Sequence, residues 1–280
     1  MDSEMENVVT LNLAASSTHQ LSIGDSALPN LPTARSFLLL LYFTQHKGQA
    51  LCRDLAAEAL WPEVKIDTAR TRLRSELWRL KQWFDLHCFN ISPFLICDRK
   101  QLIVADCFPV RSDTEALHNI ADTLYRNSLD VNLKDIRQDI YRLLDRFENG
   151  VLTSHFNEWA ETEKFHVQNS LRQCREFLFH QLCKKSEWRE AIIHGQALIE
   201  KEPLDEYLHA ELMRCYIALE CRGLAVRQYS ECQKVLREEL GITPSTSIER
   251  LYRSLLSQNI QPGFIASLST ASFNRPALSS

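Results

Sequence analysis

Glycine is scarce in this chain, with seven among 280 residues. That scarcity leaves little room for phosphate-cradling loops, and neither G-x-x-x-x-G-K-S/T, G-x-G-x-x-G nor the zinc-helix pattern H-E-x-x-H occurs. The nine cysteines are scattered without a C-x-x-C pair, and Cys97, Cys107 and the histidine next to Cys88 fit no common zinc spacing. Reduced, mostly buried thiols are therefore expected, with no metal and no cofactor. Long hydrophobic runs are absent too: the greasiest stretch, 37–43, is too short to cross a bilayer, and the opening MDSEMENVV has neither the basic nor the apolar part of a signal peptide. The expectation is a cytoplasmic chain without membrane contact. Positive charge is not in surplus either, since Lys plus Arg number 32 against 36 Asp plus Glu, for a formal net charge of -4 and a pI near 6.2. A nucleic acid would have to be met by a local patch.

Such a patch lies between residues 65 and 81. There Lys65, Arg70, Arg72, Arg74, Arg79 and Lys81 outnumber Asp67 and Glu76. At helical pitch, Ile66, Ala69, Leu73, Leu77, Leu80 and Phe84 form one apolar stripe, while Thr68, Thr71, Ser75, Trp78 and Gln82 face away among the arginines. Asp67 is the expected N-cap. Hydroxyls and guanidinium groups on an outer face of this kind suit base edges and phosphates in a major groove. The plainer reading is a solvated amphipathic helix.

The flanking sequence favours the first reading. Residues 8–13 and 20–23 read as short strands, with Gly24 and Asp25 in the turn that follows. Thr33 precedes the strongly apolar helix ARSFLLLLYFTQHKG, expected to stop at Gly48. A second helix, 53–61, has Leu55, Ala56, Ala59 and Leu60 as its inner face and ends before Pro62. After the basic helix, FLICD and LIVADC flank a charged tip at Arg99 and Lys100, which reads as a hairpin. Small sheet, three helices and hairpin in that order make a winged helix-turn-helix, with the third helix in the major groove and the wing near phosphates. For Arg99 and Lys100 an ordinary charged hairpin turn is the alternative.

The run GQALCRDLAAEALWPEVKIDTARTRLRSELWRLKQWF resembles the DNA-binding domain of the bacterial antibiotic-regulatory-protein activators, itself similar to the output domain of response regulators. Gly48, Leu55, Leu60, Trp61, Pro62, Ala69, Leu73, Arg74, Leu77, Arg79 and Leu80 carry the likeness. The chain departs from it at Gln82 and Trp83, where the family often continues its basic run, and in the wing. From Asp113 onward the pattern is helical, with helices at 113–125, 133–147, 156–184, 187–201, 205–219 and 223–240, the later ones spaced like a tetratricopeptide repeat, with Ala191 and Ala225 at matching places. FNEWAETEKF, WREAI, EPLDEYLHAELMRCYIAL and the stretch ending ELGITPSTSIERLYRSLL resemble the bacterial transcriptional activator domain that follows the winged helix in the same family.

The chain is thus expected to be mainly α: a winged helix-turn-helix at 1–110, an all-α tetratricopeptide-like domain at 111–258 and a disordered tail at 259–280. Thr71, Arg72, Arg74, Ser75 and Arg79 are the candidates for base or phosphate contact, Trp78 for stacking on sugar or packing on the wing, and Arg99 and Lys100 for the wing tip. The partner expected is double-stranded DNA, met by a homodimer on repeated half-sites. The resemblance implies a transcriptional activator and RNA polymerase touched by the loop 62–66. It also implies no ATP use, since the ATPase appended in larger members is not seen. No catalytic residue is expected, because His166, His180, His194 and His209 sit on helices without a nucleophile at a recognisable interval. Two other readings stand beside this one: a repressor with the same contacts, and a helical-repeat adaptor or antagonist that does not read DNA.

Overall fold

Residues 34–44 leave the chain little choice of structure. From Ser36 to Thr44 every side chain of α1 (Ala34–Thr44) is buried, and a helix apolar on all sides must be enclosed by other elements. Thr33 caps it, its hydroxyl accepting from the Ser36 amide at 3.0 Å. The structure, a computed structural model, describes residues 11–15, 21–23, 26–98, 100–126, 133–148, 150–152 and 158–257, without the side chains of 133–135. The expected turn at Gly24 and Asp25, the tip residue Arg99 and the tail 259–280 lie outside the described residues. The chain divides into two compact units, 1–171 and 172–280.

In the first unit a four-stranded sheet is ordered β3-β2-β1-β7. Strand β1 (Leu11–Leu13) pairs antiparallel with β2 (Leu21–Ile23) and parallel with β7 (Val110–Ser112), while β3 (Ser26–Ala27) pairs with β2. The alternation is the period-2 signature of a sheet with one covered face: Leu11, Leu13, Val110 and Ser112 are buried, and Asn12 and Arg111 are exposed. A second sheet, ordered β4-β6-β5, joins β4 (Ala50–Cys52), β6 (Gln101–Val104) and β5 (Leu95–Cys97) antiparallel. In sequence, α1 lies between β3 and β4, and α2 (Arg53–Leu60) and α3 (Ile66–Leu86) lie between β4 and β5. This is the winged helix-turn-helix order. Neither β4 nor β7 was among the expected strands; each has three residues and exists through its partner rather than through its own pattern.

Four details correct the expectation. Helix α1 ends at Thr44, and Gly48 serves the loop beyond it: its φ is +72°, and a Cβ there would lie 2.1 Å from the Asp106 carboxylate. In α2 the inner face is Ala56, Ala57 and Leu60, with Ala59 half-buried and Leu55 63% exposed. The α3 N-cap is Lys65, without a side-chain bond, and Asp67 sits in the first turn, where a carboxylate still favours the helix dipole. Lastly, the buried stripe of α3 runs Ala69, Leu73, Glu76, Leu80, Trp83 and Phe84, leaving Ile66 and Leu77 half-buried. The four-then-three spacing 69, 73, 76, 80, 83 is a helical seam displaced toward Glu76.

Helices α4 (Asp113–Arg126), α5 (Leu133–Arg146) and the first part of α6 (Glu158–Lys184) belong to the same unit. Asp113, at the start of α4, accepts the Ala15 amide just beyond β1 at 2.8 Å, and Ser112, at the end of β7, bonds Thr44 of α1 at 3.1 Å. The expected boundary between 110 and 111 falls inside β7, whereas the compact units divide within α6.

In the second unit, α7 (Trp188–Ile199), α8 (Glu206–Ala218), α9 (Arg222–Leu240) and α10 (Thr246–Leu256) pack in sequence neighbour on neighbour, the tetratricopeptide-like arrangement. Gly195 permits the close approach of α7: a Cβ there would meet Leu212 at 2.6 Å and Phe179 at 2.9 Å. Ala191 and Ala225 are fully buried. His209 is buried as well, bonded through Nε2 to the Pro203 carbonyl at 3.0 Å and through Nδ1 to Gln228 at 2.7 Å, so it closes the α8 entry turn against α9. Among the described residues no helix is long and apolar enough to cross a membrane.

The packing sets a stability contrast. Leu73, fully buried on α3, should cost about 3 kcal/mol when replaced by alanine, through lost transfer energy and the cavity left behind. Leu55→Ala should stay within about 0.5 kcal/mol, because most of its side chain already meets water. Urea titrations of both variants read the difference directly.

Candidate nucleic-acid interface

The outer face of α3 presents Thr71, Arg72, Arg74, Ser75, Trp78 and Arg79, all exposed. The Thr71 hydroxyl donates to the Asp67 carbonyl at 3.0 Å and the Ser75 hydroxyl to the Thr71 carbonyl at 3.1 Å. With their protons used inside the helix, both oxygens face outward as acceptors. Lys81 extends the same face and was missed as a site residue, although it belonged to the patch that the composition of 65–81 defines.

Folding brings carboxylates to this face that sequence distance concealed. Asp54, on α2, accepts from Nε and Nη2 along one edge of the Arg70 guanidinium, each at 2.7 Å, and Asp67 accepts from Nη1 at 2.9 Å. The Arg70 bond holds Asp54 below its usual pKa, and the pair raises that of Arg70. Glu63 reaches Arg72 at 3.1 Å and Arg35 at 3.6 Å, pinning the loop between α2 and α3. Arg79 pairs with Glu76 at 2.9 Å. Among the described residues, Arg74 has no ion pair or hydrogen bond and Lys81 has no ion pair. The patch is thus less positive than a count along the chain suggests, and its uncommitted guanidinium is Arg74.

The wing is built as a turn closed by one carboxylate. Asp98 accepts from the amides of Lys100 at 2.7 Å and Gln101 at 2.6 Å, which lowers its pKa. Arg53, the first residue of α2, donates through its backbone to the Lys100 carbonyl at 3.0 Å and through its guanidinium to the Asp98 carbonyl at 2.8 Å. Lys100 is exposed at this tip. Between α3 and β5 runs a groove of about 320 Å³, lined by Leu77, Trp78, Lys81, Ile91, Leu95 and Cys97. Trp78 lines it while remaining 64% exposed. Burial pushes the Cys97 thiol up, against the pull of Arg53 and Lys81.

With this geometry in view, comparison with known proteins becomes informative. Residues 142–256 match the family described as the bacterial transcriptional activator domain. The match begins inside α5 and closes with α10. The fold is similar to that of Mycobacterium tuberculosis EmbR, solved in complex with a low-affinity phosphopeptide, with a TM-score of 0.66 at 16% identity, over 93% of this chain and 68% of that one. No curated protein matches the sequence. A winged-helix fold followed by a region similar to the activator domain is the order that the resemblance to antibiotic-regulatory-protein activators implied, and the fold and the matched region occur in that order along the chain.

Elsewhere, His118 on α4 lies 2.8 Å from the Ser170 hydroxyl and 3.3 Å from the Glu163 carboxylate on α6. Ser170 and Glu163 are buried, so this trio fastens helices and does not offer a serine to a substrate. Among the described residues no cluster of His, Cys, Asp and Glu could hold a metal ion.

The wing turn has a testable pH dependence. A carboxylate whose folded pKa is depressed stabilises above its unfolded value, 3.8 for Asp98, and that contribution fades as pH falls through the folded value. Amide protection at Lys100 and Gln101 should therefore be constant from neutral pH down to about 4 and drop below it. Asp98→Ala should abolish the protection throughout, as read by hydrogen exchange in NMR spectra.

Proposed function

We propose that this protein is a cytoplasmic, sequence-specific DNA-binding transcriptional regulator, acting as an activator, with α3 in the major groove. The observation that carries the reading is Arg74: an exposed guanidinium without an internal partner among the described residues, beside the outward oxygens of Thr71 and Ser75 on the third helix of a winged helix-turn-helix. A five-donor planar cation so placed suits guanine or phosphate. Lys100 and Arg99 add phosphate contacts at the wing, which carry affinity but little sequence information. The boundaries proposed for this division of labour are 1–110 for the reader and 111–258 for the activator half. That half serves assembly, with two copies engaging repeated half-sites, since a second tethered contact raises affinity through effective concentration. The loop 62–66, held by Glu63, is the proposed contact with RNA polymerase, by likeness to response-regulator output domains.

One observation favours a second reading. Asp54, Glu63, Asp67 and Glu76 spend Arg70, Arg72 and Arg79 on internal pairs, which would suit an adaptor that does not read DNA. Gel-shift titrations of the full chain at several salt concentrations separate the two. The DNA reading expects Arg74→Ala to weaken a selected site by about 1 to 3 kcal/mol if it reads guanine, or to lower the salt slope by about 1 if it neutralises a phosphate. Arg72→Ala should do less, because Glu63 already holds that guanidinium. An unchanged titration in the Arg74 variant would remove Arg74 from the interface, and failure of the wild type to select any duplex would leave the adaptor reading in possession.

A further inference from the structure

Glu76 is the residue of α3 whose chemistry the proposed interface does not explain. It lies on the recognition helix yet is 2% exposed, among residues otherwise apolar. One carboxylate oxygen accepts from the Thr33 hydroxyl at 2.5 Å and from the Ser36 hydroxyl; the other accepts from Arg79 at 2.9 Å. If the only task were to fasten α3 to the start of α1, a neutral oxygen would suffice for the two hydroxyls, and a buried charge is costly unless a cation answers it. Arg79 answers it, with its own side chain 49% exposed at the edge of the outer face.

We infer that Glu76 is a positioning residue for Arg79, setting the guanidinium in one orientation for base readout; this rests on the DNA-binding reading above. Thr33 and Ser36 are themselves fixed, since Thr33 caps α1 through the Ser36 amide and α1 is buried from Ser36 to Thr44. Rigidity thus passes from α1 through two hydroxyls to the carboxylate and on to Arg79. One nitrogen of the guanidinium is held while the rest of the fork stays open to a ligand. A side chain ordered before binding loses less freedom on contact. The adjacent negative charge also weakens the attraction of Arg79 for phosphate in general, so the arrangement favours a directional contact over a diffuse one. Arg74, with no such buttress, is its opposite on the same helix.

The test is a double-mutant cycle in the full chain, with Glu76→Gln, Arg79→Ala and the pair. The probes are a duplex selected by the wild type from a random-sequence pool and an unselected duplex of equal length. Glu76→Gln should weaken the selected site about five- to tenfold, within the worth of one guanidinium contact. It should leave the unselected duplex unchanged or bound more tightly, so the ratio of the two falls. In the Arg79→Ala background the same substitution should change neither affinity. A purely structural role predicts equal losses on both duplexes, or the same loss with and without Arg79, and either result overturns the inference. If Glu76→Gln melts below the assay temperature, Ser36→Ala loosens the carboxylate more gently and should give the same pattern at smaller size. Failure of the wild type to enrich any sequence would instead remove the DNA-binding reading itself.

Discussion

The first unit depends on the enclosure of α1. A helix whose side chains are apolar from Phe37 to Phe43 has no face to give to water, so every neighbouring element is placed by the need to cover it. Helix α3 lays Ala69, Leu73, Leu80 and Phe84 inward, α2 contributes Ala56, Ala57 and Leu60, and β7 closes another side. The outward direction of Thr71, Arg74, Ser75 and Trp78 follows from that inward one at 3.6 residues per turn. The proposed recognition surface is therefore the reverse side of a packing requirement.

Charge is distributed on α3 by the same logic, with one deliberate exception to apolar burial. The surface pairs Arg70 with Asp54 and Arg72 with Glu63 are individually worth little, since exposed ion pairs contribute about 0 to 1 kcal/mol. Their effect is to fix where guanidinium groups sit and how much positive potential the helix presents. Glu76 does this from inside, where its two oxygens join the N-cap of α1 to Arg79. Arg74 and Lys81 are left to supply the attraction that a chain of net charge -4 does not provide globally.

The second unit follows a different economy. Apart from α8, which has no exposed residue, its helices keep one face toward water, so stability accrues through successive neighbour contacts, with small residues at some of the tightest. Gly195 against Leu212 and Phe179 is the closest such approach, and it is one that only a residue without a Cβ allows. The buried His209, satisfied by Pro203 and Gln228, shows a polar side chain serving an entry turn with both ring nitrogens occupied.

The helices were legible in the sequence because each carries its own period: α1, α3, α4, α6, α8 and α9 all lie close to where apolar spacing and stop signals put them. The hairpin β5 and β6 was legible for the same local reason. The strands β4 and β7 were not, because three residues have no measurable alternation and owe their structure to partners about 50 and 100 positions away. Of the candidate site, the outward positions of Thr71, Arg74, Ser75 and Trp78 could be read from helical pitch, and Lys81 could have been. What pitch could not supply was the state of each charge. That Asp54 and Glu63 arrive beside Arg70 and Arg72, that Leu55 faces water, and that Glu76 turns inward to hold Arg79 are decided by how α1, α2 and α3 cross. The sequence by itself determined which helices form and most of the face that each buries, since these depend on residues within a few turns of one another. Only the tertiary structure decided which cations remain free to meet a ligand, since an ion pair depends on distance in space.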